Sequence, residues 1–82
     1  MYILKADGTT KEIEGTSLEA MQEAVGGDIE IIGTKDGRLM VINEEGKLKR
    51  LPLNKTATSM AHIYSDDYIV GDVIIAEESE ID

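Results

Sequence analysis

Half of the basic residues in this chain lie in one short stretch that contains no acid. Lys47, Lys49, Arg50 and Lys55 are four of the eight bases and fall within nine residues, whereas the other 73 residues carry all 17 acids. Side chains of this kind bind phosphate, Arg through two parallel hydrogen bonds and Lys as a point charge. The same lysines also suit an exposed strand edge, where they discourage edge-to-edge pairing.

The basic stretch leads directly into a predicted helix start at Asn54. A helix N-terminus offers unpaired backbone N–H groups and the positive end of the helix dipole to an anion. Thr56 and Thr58 would add hydroxyl donors beside them. The predicted ligand-binding residues are Lys47, Lys49, Arg50, Asn54, Lys55, Thr56 and Thr58.

Acidic residues dominate the C-terminal part of the sequence. Seven acids and no base lie between Asp66 and Asp82. The acids lack the spacing of an EF-hand loop, so no metal site is predicted. They form either a surface for a basic partner, including one that normally binds nucleic acid, or an ordinary solubilising face.

No residues are spaced for catalysis. The chain has no Cys and a single histidine, His62, without a Ser and Asp partner at a recognisable spacing. The glycines fit neither the P-loop nor the dinucleotide pattern. We therefore predict no catalytic residue, no cofactor and no enzyme activity. A net charge of −9 opposes direct binding to nucleic acid and to anionic membranes. The absence of a membrane-spanning or signal pattern favours a cytoplasmic location.

Turn signals and periodicity predict the elements that must position these residues. The apolar stripe Leu18, Met21 and Val25 predicts a helix over Thr16–Val25 that is capped by Thr16 and packs on a sheet. A second, short helix is predicted over Thr56–Tyr64. The predicted strands are Tyr2–Ala6, Thr9–Glu14, Asp28–Thr34, Arg38–Asn43, an extension over Lys47–Leu53, and a final region Tyr68–Ala76 interrupted by Gly71.

Hairpins dominate this order of elements, so we predict an α+β domain with a mainly antiparallel sheet. The sheet has about five twisted strands, with the two short helices on one face as the simplest packing. The domain is predicted to span residues 1–76. Residues 77–82 are predicted to form an acidic, frayed and solvated tail.

Three stretches of this sequence resemble the small phage and plasmid proteins grouped as domain of unknown function 3846. The first runs from Ser17 to Ile32, and the second comprises Val41 to Lys49 and then Leu51 to Asn54. The third comprises Ala57-Thr58 and then Ile69 to Ile75. They cover nearly the whole chain in the same order. The resemblance implies an origin in a mobile element and transfers no catalytic residues.

By analogy with other small phage proteins, we expect an accessory protein that counters bacterial defence by binding. Two mechanisms are open. The protein sequesters a small phosphorylated ligand, such as a nucleotide signal, at the basic stretch. Alternatively, its acidic surface blocks a basic or nucleic-acid-binding site on a host defence protein. A homo-oligomer is expected in the first case, because a subunit interface supplies the pocket that one small domain lacks.

Overall fold

The computed structural model describes residues 1–15 and 17–81. These residues form five strands in one antiparallel sheet of order β2-β1-β5-β4-β3. The strands are β1 (Tyr2–Leu4), β2 (Thr10–Glu12), β3 (Ile29–Gly33), β4 (Leu39–Asn43) and β5 (Val73–Ala76). The predicted α+β class and the antiparallel sheet are confirmed.

The first helix, α1 (Leu18–Val25), is closed at both ends by local hydrogen bonds. The Ser17 hydroxyl accepts a bond from the Ala20 N–H at 3.1 Å. Gly26 adopts the left-handed conformation that commonly ends a helix, and its N–H donates to the Gln22 carbonyl at 2.8 Å. The cap predicted at Thr16 falls on a residue outside the described ones.

Helix α1 packs on the sheet through only part of its apolar stripe. Met21 and Val25 are buried against Val41 and Ile74. Leu18 leaves 52% of its surface exposed, so the prediction that it packs on the sheet is wrong. Helical spacing identifies side chains on one face, but it does not say how far that face extends over the sheet.

The second helix, α2 (Lys55–Met60), lies on the other face of the sheet. Ala57 packs there in a cluster with Met40 and Ile75, whose strand neighbours Val41 and Ile74 face α1. Successive strand residues point to opposite faces, so the two helices cover opposite sides. The expectation of helices on one face is therefore corrected. All four residues of β5 are buried, and such a strand needs cover on both faces.

The segment predicted as a strand over Lys47–Leu53 is mostly a series of turns. Arg50 donates its N–H to the Lys47 carbonyl at 3.1 Å, and Leu51 donates to the Gly46 carbonyl at 3.1 Å. With Arg50 at a φ of 55°, these bonds form a Schellman motif. Only Leu53 pairs in extended fashion, in an isolated bridge to Val70.

The largest differences in element boundaries lie at the end of α2 and at the start of the final strand. Helix α2 ends at Met60 instead of reaching Tyr64. The final strand begins at Val73, because Gly71 turns the chain at a φ of 77° and separates it from Val70.

Residues 77–81 do not form a frayed tail. Glu78–Glu80 form a short 3-10 helix, and Ile81 packs against the core cluster beneath α1. The Met1 ammonium donates to Glu80 Oε2 at 2.6 Å, which raises the pKa of this amine. Asp82 lies beyond the residues the structure describes.

Candidate binding groove

Two of the predicted ligand-binding residues are used inside the fold. The Asn54 side chain is fully buried: its amide donates to the carbonyls of Leu4 at 3.0 Å and Gly71 at 2.9 Å, and its oxygen accepts from the Ala57 N–H at 3.0 Å. The Thr58 hydroxyl donates to the Asn54 carbonyl at 2.8 Å. Because these polar atoms are occupied, Asn54 and Thr58 stabilise the fold and are not available to bind a ligand.

The remaining predicted residues are exposed but not gathered into one site. Lys55 and Thr56 lie in the first turn of α2, which has only six residues. Arg50 is exposed at the left-handed position of the Schellman motif.

Lys47 and Lys49, the two lysines of the basic stretch that are closest in sequence, point to opposite sides of the sheet. Lys49 Nζ lies 3.5 Å from the carbonyl oxygen of Gly26, at the end of α1. Lys47 Nζ lies on the side of α2, where it donates to Asp67 Oδ1 and sits 4.4 Å from the centroid of the Tyr68 ring. The structure therefore divides the basic stretch instead of presenting it as a single phosphate site.

Lys47 lines a groove of about 260 Å³ between the β3–β4 hairpin and the segment that leads into Val70. Ile32 and Ile42, on neighbouring strands, supply apolar walls. The charged residues that line the groove are four acids and one base: Glu30, Glu44, Glu45, Asp67 and Lys47.

Exposed apolar side chains surround this acidic groove. Leu48 at its margin is 82% exposed, and Tyr68 is 46% exposed. Tyr64 is 86% exposed and lines an adjoining depression that also includes Glu30 and Asp67. Exposed aromatic residues are enriched at the centres of protein–protein interfaces, whereas acidic side chains are more typical of the polar rim.

The contact between Lys47 and Asp67 shifts the pKa of both side chains. The hydrogen bond from Lys47 lowers the pKa of Asp67, and the Tyr68 N–H bond to the same carboxylate lowers it further. The hydrogen bond to Asp67 raises the pKa of Lys47. The groove therefore holds a cation between a carboxylate and the face of an aromatic ring, an arrangement that is favourable for both contacts.

Sequence reasoning identified only part of this groove. Asp67 belongs to the acidic region that was expected to meet a basic partner. Glu30 and the Glu44-Glu45 pair were not singled out. One feature of the sequence does point to this pair of acids. Both lie in a predicted turn directly after a buried strand, and such turns place polar residues at one end of a sheet.

Neither a metal-binding cluster nor a membrane-spanning helix is found in the described ranges. Across residues 1–15 and 17–81, no group of three or more His, Cys, Asp or Glu side chains is arranged to hold a metal ion. No helix in that part of the chain is long and apolar enough to cross a membrane.

Together, the fold and the groove define a small α+β protein that presents an acid-lined groove with exposed aromatic residues. The family model of a domain of unknown function, DUF3846, matches residues 1–82, so the chain belongs to this family and the resemblance is confirmed. Neither the curated proteins nor the solved structures include a match to the chain.

Proposed function

We propose that the protein acts without catalysis, by binding a basic surface of another protein in its acidic groove. The observation that supports this most directly is the placement of Lys47, whose ammonium contacts Asp67 and the Tyr68 ring. Lys47 occupies the position that a Lys or Arg of a partner would take. A partner side chain that displaces it would gain the same two contacts.

The electrostatics of the groove favour a basic partner over a phosphate. Four carboxylates line it beside a single ammonium, within a chain of net charge −9. Such a surface attracts a basic protein from a distance and repels a nucleotide.

Lys47→Met tests the proposal, because it removes the internal competitor. The Lys47–Asp67 ion pair is half exposed, so its loss should leave the fold intact. An exposed ion pair of this kind is weak, so releasing Asp67 should strengthen binding of an arginine-rich peptide by about two- to fivefold.

Lys49→Met is the matched control. It makes the same chemical change and the same change in net charge, but on the other side of the sheet. Binding of hexa-arginine should be measured by calorimetry for both variants and for Asp67→Asn. Equal affinities for the two lysine variants, or undiminished binding by Asp67→Asn, would show that the peptide senses net charge and not the groove.

Sequestration of a small phosphorylated ligand stays a prediction, with Lys47, Lys49, Arg50 and Lys55 as its exposed cations. Lys47→Met should weaken the binding of a phosphate, because it removes a cation, whereas it should strengthen the binding of a basic peptide. Thermal-shift assays with ATP and a cyclic dinucleotide, on wild type and Arg50→Gly, test it directly. Glycine suits the left-handed conformation of residue 50, so this variant removes the guanidinium without straining the turn. A nucleotide-dependent shift that Arg50→Gly abolishes would favour sequestration over the acidic groove.

The phage or plasmid origin, the bacterial defence target and the homo-oligomer also stay predictions. Affinity capture from bacterial lysate with wild type and Asp67→Asn would identify a target that depends on the groove. A protein retained equally by both would not be the partner proposed here.

A further inference from the structure

Strand β3 is an outer strand of the sheet, and its hydrogen bonds to β4 define which of its backbone groups point outward. The Glu44 N–H donates to the Asp28 carbonyl, and the Thr34 N–H donates to the Arg38 carbonyl, each at 2.9 Å. In an antiparallel pair, the residues that bond the neighbouring strand alternate with residues that do not. The even-numbered residues from 28 to 34 therefore bond towards β4, and the odd-numbered ones direct their N–H and C=O groups away from it.

The chain itself covers only one end of this outer edge. The Lys35 N–H donates to the Met60 carbonyl, and the His62 N–H donates to the Gly33 carbonyl, each at 2.9 Å. Beyond His62 the chain leaves the edge and lines the depression next to the acidic groove. Within the described ranges, no backbone bond from another segment reaches the outward groups of Ile29 and Ile31.

Different chemistry flanks the open edge on the two faces of the sheet. Ile31 is 44% exposed on the face that carries α1. Glu30 is exposed on the opposite face, where it lines the groove and its adjoining depression together with Asp67. A strand added beside β3 would place alternate side chains next to Ile31 and next to these two carboxylates.

We propose that the open edge at Ile29–Ile31 binds an extended segment of the partner protein in which basic and apolar residues alternate. The added strand takes up the outward N–H and C=O groups of these two residues. Its basic side chains face Glu30 and Asp67, and its apolar side chains cover Ile31. The inference rests on the proposed function, because it specifies how the basic partner meets the groove.

A second copy of this chain is a poor occupant of the same edge. Two antiparallel β3 strands that use the outward groups of both Ile29 and Ile31 must pair Ile29 with Ile31 of the other copy. This register sets Glu30 directly opposite Glu30 of the second copy, and like charges facing each other destabilise a strand pair. Each copy also carries a net charge of −9.

The test uses two short, capped peptides of the same composition. One alternates lysine and valine, and the other groups the same residues into two blocks. The whole chain should bind the alternating peptide about tenfold more tightly, because only that peptide satisfies the edge and both faces at once. N-methylation of alternate residues of the alternating peptide, on the side that faces β3, should also weaken its binding by about tenfold.

Ile31→Pro and Ile31→Ala separate backbone from side-chain effects. Proline removes an outward N–H that β4 does not use, whereas alanine keeps it. Proline should weaken binding of the alternating peptide by about tenfold, and alanine by less. Should the proline variant not fold, the N-methylated peptide still supplies the backbone test.

The outcomes distinguish this inference from the proposed function. If both peptides bind equally and N-methylation has no effect, strand addition is wrong, while binding that still depends on Asp67 would leave the proposed function standing. If neither peptide binds and hexa-arginine also fails, both are wrong. A wild-type dimer in sedimentation that Ile31→Pro dissociates would assign the edge to a second copy and overturn the inference.

Discussion

Asn54 joins three parts of the fold through one buried side chain, and its replacement should be among the most destabilising polar substitutions in the chain. Its oxygen caps α2 at the Ala57 N–H, and its amide nitrogen bridges the Leu4 and Gly71 carbonyls. In Asn54→Ala, loss of the cap costs about 1 kcal/mol. Each carbonyl left without its buried donor costs about 1–3 kcal/mol more. We expect a total loss of about 3–7 kcal/mol.

A loss of this size is a large part of the total stability. A domain of this length has a free energy of unfolding of about 4–12 kcal/mol. Urea denaturation followed by circular dichroism measures the difference, with an unchanged m-value as the sign of two-state behaviour.

Two further variants divide the effect into its components. Asn54→Ser keeps a good cap and loses only the bridge, so it should cost about 1 kcal/mol less than alanine. Asn54→Asp places a buried carboxylate against two carbonyl oxygens and should prevent folding near neutral pH. Thr56→Ala, on the exposed side of the same helix, is the control and should change stability by less than about 0.5 kcal/mol. A loss below about 1 kcal/mol for Asn54→Ala would refute the role given to the bridge.

Four more substitutions test the packing, one ion pair and the backbone. Met21→Ala should cost about 2–5 kcal/mol in urea denaturation and Leu18→Ala less than about 1, because only Met21 is buried; equal costs would contradict the packing. The hydrogen bond from Arg38 lowers the pKa of Asp36 to about 2, so its stabilisation is present above pH 4 and lost as the pH falls towards 2. Asp36→Asn should flatten the stability profile in that window, and an unchanged slope would exclude this contribution. Gly71→Ala should lower the free energy of unfolding by about 1–2 kcal/mol or more, since its φ of 77° disfavours a side chain; a thermal scan that shows no loss would contradict the strain.

Local sequence signals were sufficient for most of the sheet. The Lys35-Asp36-Gly37 turn between two apolar runs predicted the β3–β4 hairpin, which the structure confirms to within one residue at each inner end. The uninterrupted apolar run Leu39–Ile42 is typical of a strand buried on both faces. Such a strand needs cover on each side of the sheet, which the predicted packing of both helices on one face does not provide.

Local sequence signals could not predict the candidate groove, because segments that are distant in sequence meet there. Glu30, the Glu44-Glu45 turn and Asp67 come together only through the pairing of β3 with β4 and the return of the chain past α2. The left-handed conformation of Arg50 depends on tertiary context as well. The next residue, Leu51, is held against Gly46 and Gly71, and composition gives no sign of that contact. Lys47 and Lys49 are close in sequence but lie on opposite sides of the sheet, so the basic stretch does not form one site.

The position of β5 has a consequence for how the chain acquires its structure. This strand is the last one along the described chain, yet it lies at the centre of the sheet, between β1 and β4. Until it is in place, β1–β2 and β3–β4 are two separate hairpins, and an isolated hairpin is only marginally stable in water. During synthesis on the ribosome, cooperative folding therefore has to wait until Val73–Ala76 have emerged. The contacts between β1 and β5 then close a loop of nearly the full chain length, which slows folding compared with a fold built from local contacts.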